Sequence, residues 1–258
     1  MSYTNPLRER LAAGGVLRGA WMWSPSVVIA EAAAGAGFDY VGVDLQHGAV
    51  DYVDAVPMFA AIQAQGAAPI ARLVKNEWTS IGKILDAGAL GIVVPMVNTA
   101  AEAAAVVAAT RYPPRGGRSF GPVRGQVAIG SREPADLEQV FIAVMVETKT
   151  GLDNVDAIAA TEGVDAVYVG PVDLALALGV PGDYESHEPV HVEAVARIRQ
   201  ACTAAGKIAG IHCSDGAMAG RRLTQGFRMT TVINDVALMR SAGAAELARA
   251  VAAPKAAE

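Results

Sequence analysis

Cysteine, histidine and aromatic residues are scarce: two cysteines, four histidines and 5% aromatics in 258 residues. Cys202 and Cys213 form no metal-like spacing, and their rarity fits a reducing compartment. Positive charge is not in excess either. The formal net charge is −5, which disfavours non-specific nucleic-acid binding, because phosphate neutralisation needs a basic face. No apolar stretch reaches the ~20 residues of a membrane span, and Met1–Arg10 carries no apolar run of a secretory leader. The expectation is a cytoplasmic protein with neither nucleic-acid nor membrane partners. A Gly-rich nucleotide fingerprint is also missing, since Trp21-Met22-Trp23-Ser24-Pro25 follows the first candidate strand.

What is there is alternation. Strand-like apolar runs occur at Gly19–Trp23, Tyr40–Asp44, Ala68–Arg72, Gly91–Val97, Phe141–Glu147, Ala166–Gly170, Ile208–Cys213 and Phe227–Ile233. Between and after them lie Ala-rich segments with helical propensity: Val27–Ala36, Tyr52–Gln65, Thr79–Ala87, Ala101–Arg111, Leu152–Ala160, Val192–Ala205, Ala217–Gln225 and Val236–Ala252. Several end in glycine stop signals, such as Gly66, Gly88, Gly206 and Gly226. Eight alternations without a composition break predict one (β/α)8 TIM barrel spanning residues 1–258, about 250 residues being typical of that fold. A doubly wound open sheet is the alternative. The connection from Tyr112 to Gln139 is too long for a plain loop, and its Pro, Gly and Arg content suggests a lid or a subunit contact. Residues 253–258 read as a frayed tail.

In such a barrel, chemistry belongs at the carboxyl ends of the strands. The fifth strand ends in Glu147 and the sixth runs through Gly170-Pro171 to Asp173, so two acids reach one end of the sheet. Such a pair suits a hard divalent cation, although Glu147 could instead cap a helix and Asp173 open a turn. The second strand ends Val43-Asp44-Leu45-Gln46-His47 and the third ends in Arg72. Arg72 and Asp44 could form a rim ion pair. Asp44 could also orient His47 by accepting a hydrogen bond from its ring, or His47 could be a capping loop histidine.

Two patterns mislead. His187-Glu188-Pro189-Val190-His191 matches H-E-x-x-H on paper, but Pro189 belongs in a helix's first turn, leaving His187 outside it. His212 and Cys213 are adjacent on a strand and point to opposite faces, so they do not chelate one metal together. A Schiff base is disfavoured as well, because none of the five lysines ends a proposed strand. Metal is the better electron sink.

Val43-Asp44-Leu45-Gln46-His47, Leu85-Asp86-Ala87-Gly88, Val94-Pro95-Met96-Val97, Arg111-Tyr112-Pro113-Pro114-Arg115-Gly116, Val146-Glu147-Thr148 and Gly170-Pro171-Val172-Asp173-Leu174 resemble the HpcH/HpaI family of class II pyruvate aldolases. The resemblance runs in order from about Trp21 to Ile233. It implies a TIM barrel of the phosphoenolpyruvate/pyruvate superfamily that cleaves 4-hydroxy-2-oxo acids to pyruvate and an aldehyde through a metal-stabilised enolate. It also implies a divalent ion (Mg2+, Mn2+ or Co2+) on Glu147 and Asp173, His47 as acid/base and Arg72 at the enolate oxygen. Gly170 and the backbone of Val172 and Asp173 would hold pyruvate's carboxylate. Asp86 would raise the basicity of His47, reaching it by an unusual path or from a neighbouring subunit. Met145 stands where some members carry a substrate-binding Gln, and Gln46 where others have Glu.

Three other functions compete. A CoA-ester lyase of the same superfamily needs a basic groove, for which Arg115–Arg124 is the candidate. A phosphosugar isomerase needs a phosphate cradle that His212-Cys213-Ser214-Asp215-Gly216 matches weakly. A non-catalytic binding barrel would take pyruvate without chemistry. The family resemblance further implies a homo-oligomer, a hexamer. The last helix supports it with an apolar stripe of Val236, Met239, Leu247 and Val251, unless that stripe packs on its own barrel.

Overall fold

A computed structural model of the protein describes residues 3–252, so the expected tail lies outside the described residues. Helix α1 (Pro6–Ala12) precedes β1 (Leu17–Met22), α2 (Val27–Gly35), β2 (Tyr40–Asp44), α3 (Tyr52–Ala64) and β3 (Ala68–Arg72). Then come α4 (Trp78–Asp86), β4 (Gly91–Val94), α5 (Ala100–Thr110) and two short helices, α6 (Gly125–Ile129) and α7 (Pro134–Leu137). Next are β5 (Phe141–Val146), α8 (Lys149–Asp153), α9 (Val155–Ala159), β6 (Ala166–Val169) and α10 (Pro171–Ala177). The chain finishes with α11 (Pro189–Ala204), β7 (Ile208–Ile211), α12 (Gly216–Thr224), β8 (Met229–Asn234) and α13 (Asp235–Ala252).

The eight strands pair in chain order, all parallel, and β8 closes on β1. This is the (β/α)8 barrel and not the open sheet. Side chains alternate across each strand, giving two apolar shells. The inner one holds Leu17, Trp21, Tyr40, Ile70, Val93, Phe141, Met145, Tyr168 and Met229, with Leu7 and Leu11 of α1 packed in the same cluster. The outer one joins strands to helices through residues such as Val43, Phe59, Ile92, Val144 and Ile198. The aromatics fit inside because glycines face them: a Cβ at Gly19 would strike the Tyr40 ring, and one at Gly42 the Trp21 ring.

Register sets the level of the functional residues. Asp44 sits beside Arg72, Val146 beside Val169, and Val169 beside Ile211, so Glu147, Gly170 and His212 emerge together one residue further on. Strand β4 stops at Val94, short of the expected Val97. Pro95 has no N–H for the ladder, and Met96 turns into the left-handed region at φ 57°. The helix expected over Leu152–Ala160 starts earlier and breaks at Asn154, whose side chain donates to the Asn98 carbonyl at 2.9 Å.

The long 112–139 connection carries α6 and α7, and three of its arginines, Arg115, Arg118 and Arg124, bond within the chain. Arg118 pairs with Asp86 at 2.8 Å over the Tyr112 ring, and Arg115 pairs with Glu138. Helix α13 behaves differently from the others. None of its residues is buried, and Val236, Leu238, Met239, Leu247 and Val251 are exposed. Its apolar stripe therefore does not pack on its own barrel.

Candidate active site

At the carboxyl end of the barrel lies a cavity of about 250 Å³, walled by Trp23, His47, Arg72, Met145, Glu147, Gly170, Pro171, Val172, Asp173, Tyr184 and His212. Strand ends, the loops after them, the first turn of α10 and the α10–α11 connection supply these residues, all on the carboxyl side of the barrel.

Asp44 organises one side. Fully buried, it accepts Arg72 Nε at 2.8 Å through Oδ1 and Arg72 Nη2 through Oδ2. Oδ2 also accepts Trp23 Nε1 at 2.8 Å and Trp21 Nε1 at 3.1 Å, while Oδ1 takes the backbone N–H of Gln46 at 3.0 Å and of His47 at 3.1 Å. Burial alone would raise this carboxyl, but the Arg72 pairing and the N–H donors outweigh it and hold it below its ordinary value. The guanidinium lies 5.5 Å over the Trp21 ring, so Arg72 is clamped by charge and by an aromatic face.

Glu147 forms the other side. It is 4% exposed, and Oε1 accepts the Met96 backbone N–H at 2.8 Å. That donor is aimed by the left-handed turn at Met96, a strained conformation for a residue with a side chain. The other carboxylate oxygen lies against Gly170, where a Cβ would collide with it. Burial raises the Glu147 carboxyl to about 7, the Met96 N–H and Arg72 opposing and the nearby Asp173 charge adding to the rise. Asp173, in the first turn of α10, is exposed to the cavity. Among the described residues neither acid has a Lys or Arg in ion-pair range, the nearby guanidinium being taken by Asp44.

Two uncompensated carboxylates in one cavity are a donor set that a hard dication fits. Among the described residues no cluster of three or more His, Cys, Asp or Glu gathers at one point, so the protein would provide two ligands and leave the remaining positions to water or substrate. The first turn of α10 also leaves the N–H groups of Val172 and Asp173 without an intrahelical acceptor.

The sequence profile described as HpcH/HpaI aldolase/citrate lyase matches residues 18–242. The chain belongs to the HpcH/HpaI aldolase/citrate lyase family. It is 41% identical over 223 residues to the hydroxypyruvate/pyruvate aldolase of Rhizorhabdus wittichii, covering 86% of this chain and 89% of the relative. With the 2-keto-3-deoxy-L-rhamnonate aldolase of Salmonella gallinarum it shares 36% identity over 93% of this chain and 90% of that one. The crystal structure of an HpcH/HpaI aldolase/citrate lyase family protein from Burkholderia cenocepacia superposes with a TM-score of 0.90 at 35% identity, covering 96% of this chain and all of the other.

In this family member the cavity brings together His47, Arg72, Glu147, Gly170, Val172 and Asp173 from the sequence-predicted set. Two expected roles change. Asp44 does not take its hydrogen bond from the His47 ring. Its oxygens are filled by Arg72, two indoles and main-chain N–H groups, so it orients the His47 loop and not the imidazole. Asp86 ends α4, pairs with Arg118 and does not line the cavity, so within one chain it is a structural anchor for the long connection.

The H-E-x-x-H pattern is no site, since α11 begins at Pro189 and His191 is buried with Nε2 2.9 Å from the Pro171 carbonyl. Five wall residues were not predicted as site residues: Trp23, Met145, Pro171, Tyr184 and His212. His212 was findable, because it directly follows Ile211 at the end of β7. Tyr184 lies between α10 and α11, where no periodicity marks it.

Proposed function

We propose that the protein is a class II aldolase that reversibly cleaves a 4-hydroxy-2-oxo acid to pyruvate and an aldehyde, with Glu147 and Asp173 as ligands of Mg2+, Mn2+ or Co2+. The observation that carries this reading is the unpaired Glu147/Asp173 couple facing the clamped guanidinium of Arg72 across one cavity. A bound divalent cation would supply a Lewis acid at the substrate's ketone oxygen.

The protein's own groups do the rest. Arg72 is permanently charged and preorganised by Asp44, so it stabilises the negative charge that grows on that oxygen as the C3–C4 bond breaks. The free N–H groups of Val172 and Asp173 suit the carboxylate of the 2-oxo acid, and Gly170 leaves room for Glu147 beside it. His47, on the loop that Asp44 holds, removes the proton of the 4-hydroxyl during cleavage and returns it during addition. The bonding electrons of C3–C4 pass to pyruvate as its enolate, and C4 leaves as the aldehyde. The aldolase names of both relatives support this assignment. The same reading makes the protein a cytoplasmic homo-oligomer, a hexamer by the family resemblance, in which neighbouring subunits cover α13.

A CoA-ester lyase has less in its favour, because Arg115 and Arg118 are already paired with Glu138 and Asp86. Exchange of pyruvate's methyl protons in deuterated buffer separates the aldolase from a non-catalytic binding barrel. Metal-dependent exchange is the expected result, and binding without exchange would refute the reading.

A further inference from the structure

His212 stands on the cavity wall, 8% exposed, directly after β7. Its ring meets the Trp21 ring edge-on with centroids 4.9 Å apart and stacks against Tyr184 at 5.8 Å. Nδ1 is 3.2 Å from Thr231 Oγ1 and 3.4 Å from the Tyr168 hydroxyl, and those two hydroxyls are 2.6 Å apart. Both hydroxyls also share a hydrogen-bonding cluster with the Tyr40 hydroxyl, which donates to the Thr230 carbonyl at 3.0 Å. This cluster holds Nδ1, and Nε2, the other ring nitrogen, has no protein partner among the described residues. Burial, with the Arg72 charge adding to it, pushes the imidazole down to about 3, so the ring is neutral at working pH.

A neutral ring nitrogen on the cavity wall, beside an Arg72 that already supplies charge, suits a hydroxyl, which can both donate and accept, better than a second anion. The other charged groups of the wall, His47, Arg72, Glu147 and Asp173, have roles in the aldolase reading, and the 4-hydroxyl belongs to His47. We infer that His212 reads an additional hydroxyl group on the substrate and so favours hydroxylated over deoxy substrates at this site. The inference rests on the aldolase reading. The hydroxyl has two possible sources, the 2-oxo acid half or the aldehyde half. A substrate lacking it would leave Nε2 buried without a partner, a penalty that a site built to hydrogen-bond imposes on the deoxy analogue.

The test compares the wild type with His212→Phe and His212→Asn in four pairings: pyruvate or hydroxypyruvate with acetaldehyde or glycolaldehyde. In the Phe variant the kcat/KM preference for hydroxylated over deoxy partners should fall about ten-fold or more, mainly through KM. The Asn variant, which keeps an N–H donor, should recover part of it. A loss confined to hydroxypyruvate pairings places the hydroxyl on the 2-oxo acid, and one confined to glycolaldehyde pairings places it on the aldehyde. Equal effects across all four pairings, or none, overturn the inference. If the Phe variant does not fold, Thr231→Val, which removes a hydroxyl partner of Nδ1, should weaken the same preference, and an unchanged preference overturns it.

If no pairing reacts in the wild type, the aldolase reading has failed. Trp21 and Trp23 fluorescence, titrated with hydroxypyruvate against pyruvate and with glycolaldehyde against acetaldehyde, then decides the point for His212. A preference for the hydroxylated member of either pair that is lost in the variant supports its role, and equal affinities within both pairs refute it.

Discussion

Replacing Glu147 with Gln should stabilise the metal-free protein at alkaline pH while removing its response to metal. The Glu147 carboxyl is raised from its ordinary 4.5 to about 7, chiefly by burial. Between those two values the folded chain keeps a proton that the unfolded chain has released, so stability falls as pH rises through this window. Above pH 7 the full penalty is present. With about 1.4 kcal/mol per pH unit, it is on the order of 3 kcal/mol. Gln is neutral, and its carbonyl oxygen can still accept the Met96 N–H, but its NH2 must sit against Gly170, which returns part of the gain. We expect a net rise of about 1–3 kcal/mol, or roughly 3–9 °C in Tm for a chain of this size. Thermal unfolding in a chelator at pH 4.5, 6 and 8 measures it: the difference between Gln variant and wild type should be near zero at pH 4.5 and largest at pH 8. Added Mg2+ or Mn2+ should then raise the Tm of the wild type far more than that of the variant. A variant that is less stable at pH 8, or shows the same difference at every pH, would refute the reasoning.

Other outcomes follow from the same geometry. Arg72→Lys should lose on the order of 10²-fold in turnover, because an ammonium cannot reproduce the two-point contact with Asp44 while pointing its charge into the cavity; near-normal turnover would make Arg72 structural. His47→Ala should keep metal and pyruvate affinity within a few-fold while cleavage falls about 10²–10⁴-fold. If its metal affinity collapses and turnover at saturating metal is normal, His47 is a ligand instead. Sedimentation at micromolar concentration should show an assembly that covers the exposed apolar side chains of α13; a monodisperse monomer would contradict it.

The barrel was readable because most of its strands, β2 to β6 above all, are short apolar runs buried on both faces, each ending where a charged or turn-forming residue interrupts it. That same interruption marked Asp44, Arg72 and Glu147, since a charge at a strand's end is both a stop signal and a group delivered to the mouth. His212 obeys the rule but was judged with Cys213 as a possible chelating pair, which hid its separate place on the wall. Contacts between distant segments left no local trace. Arg118 meets Asp86 across 32 residues, and no pattern in either segment foretells it. The left-handed turn at Met96 was equally silent, because the residue type that normally announces such a turn is glycine. Short helices such as α1 and α10 begin with proline and are too brief to show a 3.6-residue period.

The central claim is that Glu147 and Asp173 hold the metal of a pyruvate aldolase, and retro-aldol turnover of a 4-hydroxy-2-oxo acid tests it most directly. Pyruvate release should stop on exhaustive chelation and return with Mg2+, Mn2+ or Co2+, and borohydride should trap no pyruvate on the protein. Full activity in metal-free protein, or a borohydride-stable adduct on a lysine, would contradict the claim.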